Sequence, residues 1–248
     1  RISSDIIAIA ITGSSGKTSL KELLGQTLNE IHKTSYSQKS YNNKYGVPIS
    51  LFNIGREDKY GVFEIGMDKK GEIDYLSKII KPNIGVITNI SYAHTKNFNN
   101  LYGVAKAKSE IIENILEKGS VVLNADDKFY NYFKLKALKK NLKIISFSKK
   151  NISNIKLEKI INLKNKSNLK ISIFGKSKNF IIKRNFEIHV ENILSSLAII
   201  SNFLDLENIS EKFFFNFNLP EGRGDYNYIK IDKNKIHFID ESYNSNPL

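Results

Sequence analysis

Ile6-Ile7-Ala8-Ile9-Ala10-Ile11-Thr12-Gly13-Ser14-Ser15-Gly16-Lys17-Thr18-Ser19 is the stretch whose reading decides the fold. Six apolar residues, four of them isoleucine, give way to a Gly/Ser turn and then to leucines at 20, 23, 24 and 28. That pattern predicts a buried strand, a tight loop and a helix N-terminus. Such a junction is a phosphate cradle. Gly13 and Gly16 let backbone N–H groups converge on an anion, with Ser14, Ser15 and Ser19 lining the turn; Lys17 brings a point charge to the terminal phosphates, and the Thr18 hydroxyl suits Mg²⁺. The spacing departs from G-x-x-x-x-G-K-[ST], because Ile11 stands where that pattern has its first glycine. The competing reading is a strand-to-helix turn that is merely rich in Gly and Ser.

The 248 residues suffice for one large α/β domain, or one domain with a small appendage. No apolar run approaches the ~20 residues of a membrane-crossing helix, and the run at 6 to 11 is too short for a signal peptide, so neither membrane insertion nor a cleaved leader is expected. The absence of cysteine excludes disulfides and thiolate metal sites and suits a reducing compartment, so a cytoplasmic location is expected. The chain opens with Arg and ends inside the polar run at 240 to 247, so a piece of a longer polypeptide is expected. A net charge of +13 raises the question of nucleic acid. Yet the lysines are dispersed, and the densest group (Lys134, Lys136, Lys139, Lys140, Lys143) reads as the solvated face of a helix, so no nucleic-acid partner is expected.

Strand and helix patterns alternate as far as 147. Helix is expected at about 17–31, 71–80, 100–117 and 127–139, strand at 60–65, 84–90, 120–124 and 142–147, with a polar loop from 38 to 48. This predicts a mostly parallel sheet with helices on both faces, as in phosphate-loop NTPases. From 152 to 184 short alternating runs predict an antiparallel flank, helices return at about 191–204 and 210–217, and a hairpin at 226–239 closes the chain.

Four places carry chemistry. Glu64 lies inside an apolar strand, where a carboxylate costs several kcal/mol unless something cationic meets it; a metal at the phosphate loop is the candidate. His94 follows the strand at 84–90, beyond a carboxyl end where parallel sheets place ligand residues. On the helix after it, Leu101, Val104, Ile111, Ile112 and Ile115 share one face, with Lys108 about 40° from Val104 and Lys106 about 200° away. A lysine aimed into an apolar face must snorkel, lose its proton or be modified. One of Asp126 and Asp127 reads as a helix N-cap. The loops at 220–225 and 240–247 are polar and read as turns.

Taken in order, Thr12-Gly-Ser-Ser-Gly-Lys-Thr18, Asn42-Asn-x-x-Gly-x-Pro48, Glu64-Ile-Gly66, Asn89 to His94, Ala105-Lys-Ala-Lys108, Gly222-Arg223 and Glu241-Ser-Tyr-Asn-Ser-Asn-Pro247 resemble the Mur ligase family. They are most similar to the members that add D-alanyl-D-alanine to UDP-N-acetylmuramoyl-tripeptide. The resemblance covers essentially the whole chain and implies that residues 1–248 are the central ATP-binding domain, without the amino-terminal UDP-sugar domain and the carboxy-terminal domain. It implies ATP as substrate, with Lys17 on its phosphates, Thr18 and Glu64 on a first Mg²⁺, and His94 and a carbamylated Lys108 on a second. It further implies Asn192 on the adenine, Arg223 on a phosphate and Glu241 on the ribose. Ile188-His189 stands where the family has His-Asn, and Glu241 where aspartate is common. The implied activity is a monomeric, ATP-dependent amide ligase of peptidoglycan precursor synthesis, with the isolated piece having negligible turnover. Another Mur ligase or a folylpolyglutamate synthase is the nearest alternative, and a basic phosphate-loop NTPase acting on nucleic acid the more distant one.

Overall fold

The alternation of Ile and Ala in β1 (Ile7–Thr12) decides which helices lie where. Ile9 and Ile11 enter one apolar cluster and Ala8 and Ala10 the other, since successive side chains of a strand point to opposite faces. On the isoleucine face lie α1 (Lys17–Asn29), whose Leu20, Leu23, Leu24 and Leu28 are all buried, and α7 (Val190–Ile200). Each such leucine contributes about 1.5–3 kcal/mol on leaving water. On the alanine face lie α3 (Glu72–Ile80), α4 (Leu101–Lys108), α5 (Glu110–Glu113) and α6 (Tyr130–Lys139).

The structure is a computed structural model that describes residues 6–92, 97, 98, 100–218, 222, 225–231 and 234–240. Its main sheet has nine strands. β2 (Thr34–Tyr36), β3 (Tyr60–Glu64), β1, β4 (Ile84–Ile87), β5 (Ser120–Asn124), β6 (Lys143–Ser148) and β7 (Ile155–Asn162) run parallel in that order, and β8 (Lys166–Ile173) and β9 (Lys176–Lys183) add an antiparallel edge. The chain steps outward from β1 in one direction to β2 and β3 and in the other to β4, so β1 sits at a switch point, where such sheets leave a crevice at their carboxyl ends. β10 (Asp225–Ile231) and β11 (Asn234–Asp240) pair as the expected separate hairpin. Among the described residues no helix is long and apolar enough to cross a membrane.

Four expectations need correction. Residues 46–48, expected as the end of a polar loop, instead open α2 (Gly46–Phe52), because the Asn43 side chain accepts from Tyr45 N and Gly46 N and Pro48 falls in the first turn, where no N–H is missed. The helix expected over 100–117 breaks at Ser109, whose hydroxyl bonds the Lys106 carbonyl and diverts the backbone into a tighter turn. The helix expected from 127 begins at Tyr130, because Asp127 spends its carboxylate on Phe129 N and Ile90 N. Residues 210–217 form turns with i to i+3 bonds, since Phe214 and Phe217 are held against Phe180 and Phe186 and need no continuous helix to be buried.

Candidate active site

The loop after β1 turns on two glycines, one excluded from replacement by contact and the other strained by its backbone angle. Gly13 has φ 150°, and a Cβ on it would lie 1.8 Å from Thr88 Oγ1. Gly16 has φ 76°, and its Cβ would lie 3.1 Å from Asn192 Oδ1. Gly16 is also the N-cap of α1 and brings no capping side chain, so the first-turn N–H groups face the cradle. Residues 88–91, which leave the sheet earlier than the expected strand, clamp the loop from the side. Ser14 N donates to Asn89 O (2.9 Å), Ser15 N to Asn89 Oδ1 (2.9 Å), Thr88 Oγ1 to Ser15 O (2.7 Å) and Ser91 N to Ser14 Oγ (2.9 Å).

The carboxyl end of β3 delivers Glu64 to the same place, 1% exposed. Thr18 Oγ1 donates to its Oε2 (2.7 Å) and Asn42 Nδ2 to its Oε1 (2.7 Å), while Glu64 N donates to Ser37 Oγ (3.3 Å). Both carboxylate oxygens thus accept from neutral groups. A buried carboxylate held by neutral donors fits a hard divalent cation, with Thr18 Oγ1 and Glu64 supplying the oxygens. No cluster of three or more acidic, His or Cys side chains that could hold a metal ion exists among the described residues.

Two lysines converge from different elements. Lys17 Nζ donates to Gly13 O at 2.9 Å, and Lys108 Nζ, on the last turn of α4, donates to the same carbonyl at 2.8 Å. Lys108 is 1% exposed, whereas Lys106 is exposed, as the helical-face reading requires. Burial, joined by the Lys17 charge, holds the Lys108 amine well below the usual lysine value, against a smaller opposing pull from Glu64. Burial thus disfavours the charged form of the Lys108 amine.

The structure thus brings together Gly13, Ser14, Ser15, Gly16, Lys17, Thr18, Ser19, Glu64, Lys108 and, at the start of α7, Asn192, whose Nδ2 lies 3.3 Å from His189 Nδ1. The expected site residues His94, Arg223 and Glu241 lie outside the described residues. Thr88, Asn89, Asn42 and Ser37 received no role from the sequence, although a Thr-Asn pair directly after a buried strand is a signal for a loop-bonding segment.

The profile of the Mur ligase middle domain matches residues 11–200. The UDP-N-acetylmuramoyl-tripeptide--D-alanyl-D-alanine ligase of Buchnera aphidicola subsp. Acyrthosiphon pisum is 34% identical over 255 aligned residues, covering 96% of this chain and 52% of that protein. The crystal structure of MurF from Acinetobacter baumannii superposes with a TM-score of 0.87 at 33% identity, over 98% of this chain and 52% of that one. MurF from Thermotoga maritima in complex with ADP shares the fold, with a TM-score of 0.82 at 21% identity over 98% of this chain and 55% of that one. The chain spans about half the length of the curated relatives it matches. With a middle-domain match over most of its length, and a phosphate loop, buried carboxylate and buried lysine converging where that match begins, the chain belongs to the Mur ligase family.

Proposed function

We propose that this chain is the ATP-binding part of a ligase that joins D-alanyl-D-alanine to UDP-N-acetylmuramoyl-tripeptide through an acyl phosphate. The observation that carries the reading is the convergence of Lys17 and Lys108 on Gly13 O beside the Thr18–Glu64 pair. The relatives named for this activity support it. Under this reading residues 1–248 are the central domain, and the domains that hold the UDP-sugar and the amino substrate lie outside them.

A carboxylate is a poor electrophile, so its oxygen must first attack the γ-phosphorus of ATP, with ADP leaving. Two anions have to approach. The first-turn N–H groups of α1 and the Lys17 ammonium bind the phosphates and stabilise charge on the transferring group. The residues for metal are Thr18 and Glu64 at one position and His94 and Lys108 at another; when bound, Mg²⁺ supplies charge neutralisation between the two anions. In its neutral form the Lys108 amine nitrogen would add to CO₂ and lose a proton, giving a carbamate whose anionic oxygen would be available to a metal. The dipeptide's free amine then attacks the acyl carbon and phosphate departs. Asn192, Arg223 and Glu241 are assigned to the nucleoside and phosphate. His189, bonded to Asn192, stands where the family has an asparagine.

The test uses the full-length protein with ATP, Mg²⁺, UDP-N-acetylmuramoyl-tripeptide and hydroxylamine. A hydroxamate of the peptide's terminal carboxylate, formed only with ATP, is the expected product. Phosphate release without hydroxamate would overturn the acyl-phosphate route. The isolated piece should show negligible turnover, because holding both substrates in line supplies ~7–11 kcal/mol that needs the flanking domains.

A further inference from the structure

Lys21 is a fully buried lysine with no part in the phosphoryl transfer. Its side chain is 0% exposed in α1, one turn beyond Thr18 and on the same helical face. Such burial is rare for lysine unless it is partnered. Its Nζ donates to Lys39 O at 2.9 Å, pairs with the Glu22 carboxylate and lies 5.7 Å from the centroid of the Tyr36 ring. Every partner except Glu22 belongs to the end of β2 or to the loop that follows it.

That loop leads directly to the carboxylate. Lys39 adopts φ 47°, a left-handed conformation that a side-chain-bearing residue holds only when its surroundings fix it. Ser40 Oγ then lies 3.5 Å from Thr18 Oγ1, and three residues past Lys39 Asn42 bonds Glu64 Oε1, with Gly66 N donating to Asn42 O at 2.8 Å. The loop is tied to β3 at Asn42 and to α1 at Lys39. The second tie anchors the start of the loop on α1, so the Asn42 amide is held over Glu64 from both ends of the segment.

We propose that Lys21 is a positioning residue for the divalent-cation site: by holding the Lys39 carbonyl it fixes the loop at 39–42 so that Asn42 engages one oxygen of Glu64 and leaves the other beside Thr18. This rests on the assignment of Thr18 and Glu64 to Mg²⁺ made under Proposed function.

The experiment measures binding of a non-hydrolysable ATP analogue to the full-length protein by calorimetry, once at saturating Mg²⁺ and once in EDTA. The ratio of the two affinities isolates the metal's contribution from general damage, which would lower both. Lys21→Met should cut that ratio about tenfold while the EDTA affinity stays within twofold. Asn42→Ala should cut it equally, and the double variant should be no worse than either single one, since residues acting through one contact are not additive. Lys21→Gln, which keeps a polar end too short to reach Lys39 O, serves in the same way if the methionine variant does not fold. Glu64→Gln is the control. If it lowers the ratio and neither Lys21 variant does, or if the Lys21 and Asn42 losses add, the positioning role is overturned and the metal assignment stands. If Glu64→Gln leaves the ratio unchanged, the metal assignment falls and the positioning role falls with it.

Discussion

Two glutamates on strands of one sheet have opposite lives. Glu64 ends β3, a strand buried along its whole length, and its carboxylate accepts hydrogen bonds from the neutral donors Thr18 and Asn42. Glu158 stands in β7, mostly exposed, where it takes two bonds from Ser177 (2.8 and 2.9 Å) and an ion pair with Lys170 (3.2 Å). The flank has resolved its polar groups locally, in the manner of a half-solvated antiparallel sheet. The carboxyl end of the parallel strands has gathered a carboxylate and two amines around one glycine-built loop, and that arrangement suits a charged ligand.

The largest effect that would break this contrast lies at Lys108. In the full-length protein, if it is the proposed ligase, Lys108→Ala should reduce turnover by at least about 10²–10³-fold, the usual scale for losing a group that stabilises charge in the transition state. Added acetate should restore part of the activity by standing in for the carbamate proposed at Lys108. Lys106→Ala, on the exposed side of the same helix, should stay within about threefold. Turnover assays with and without acetate decide it, and a dead Lys106→Ala beside an active Lys108→Ala would reverse the assignment.

Next in size is Lys17→Ala, which removes the charged donor proposed for the phosphates and should weaken ATP binding about 10- to 100-fold by calorimetry. Equal affinity for wild type and variant would place the phosphates elsewhere.

A third effect is read from stability alone. The Lys108 amine is held below its unfolded value of 10.5 by burial. Between the lowered value and 10.5 the unfolded chain binds the proton and the folded chain does not, so stability rises with pH across that window. The penalty is full below the lowered value and vanishes above 10.5. Lys108→Met should therefore be more stable than wild type at neutral pH. The difference should shrink toward alkaline pH by up to about 1.4 kcal/mol per pH unit. Denaturant titrations at pH 7, 8 and 9 measure it, and parallel stability curves would show that Lys108 carries its proton in the fold.

How much of this was legible beforehand depends on the range of the interactions. The β1–loop–α1 unit is local, and its Ile/Ala alternation, glycines and leucines announce it in 23 consecutive residues, from Ile6 to Leu28. Lys108 was legible because a helix converts spacing into direction, even though the helix breaks one residue later at Ser109. The Asn42–Glu64 and Thr88–Ser15 bonds join residues 22 and 73 positions apart, and no periodicity reports such a meeting. The same holds for α2, whose start depends on the Asn43 side chain turning back on its own backbone. The helix expected at 210–217 failed for the converse reason: aromatic residues three apart mimic helical spacing while being held by distant phenylalanines.

The smallest effect sharpens the contrast between the two glutamates most. In Glu158→Gln the Ser177 hydroxyl still has an acceptor, Lys170 turns to water, and β7 keeps its pairing with β8 on either side of the irregularity at Glu158. Ser177, and after it Lys170, hold the Glu158 carboxyl below the usual glutamate value, but the group is solvent-exposed, where ion pairs contribute little. The thermal midpoint should move by no more than about 2 °C, the scale of a minor perturbation in a domain of this size, and Mg²⁺-dependent nucleotide affinity should not change. The same substitution at Glu64, at the end of a fully buried strand, should abolish the metal dependence of nucleotide binding. If Glu158→Gln proved as damaging to nucleotide binding as Glu64→Gln, the partition of this sheet into a structural flank and a chemical end would be wrong, because a solvated and locally satisfied glutamate would then be acting on a site with which it shares no bond.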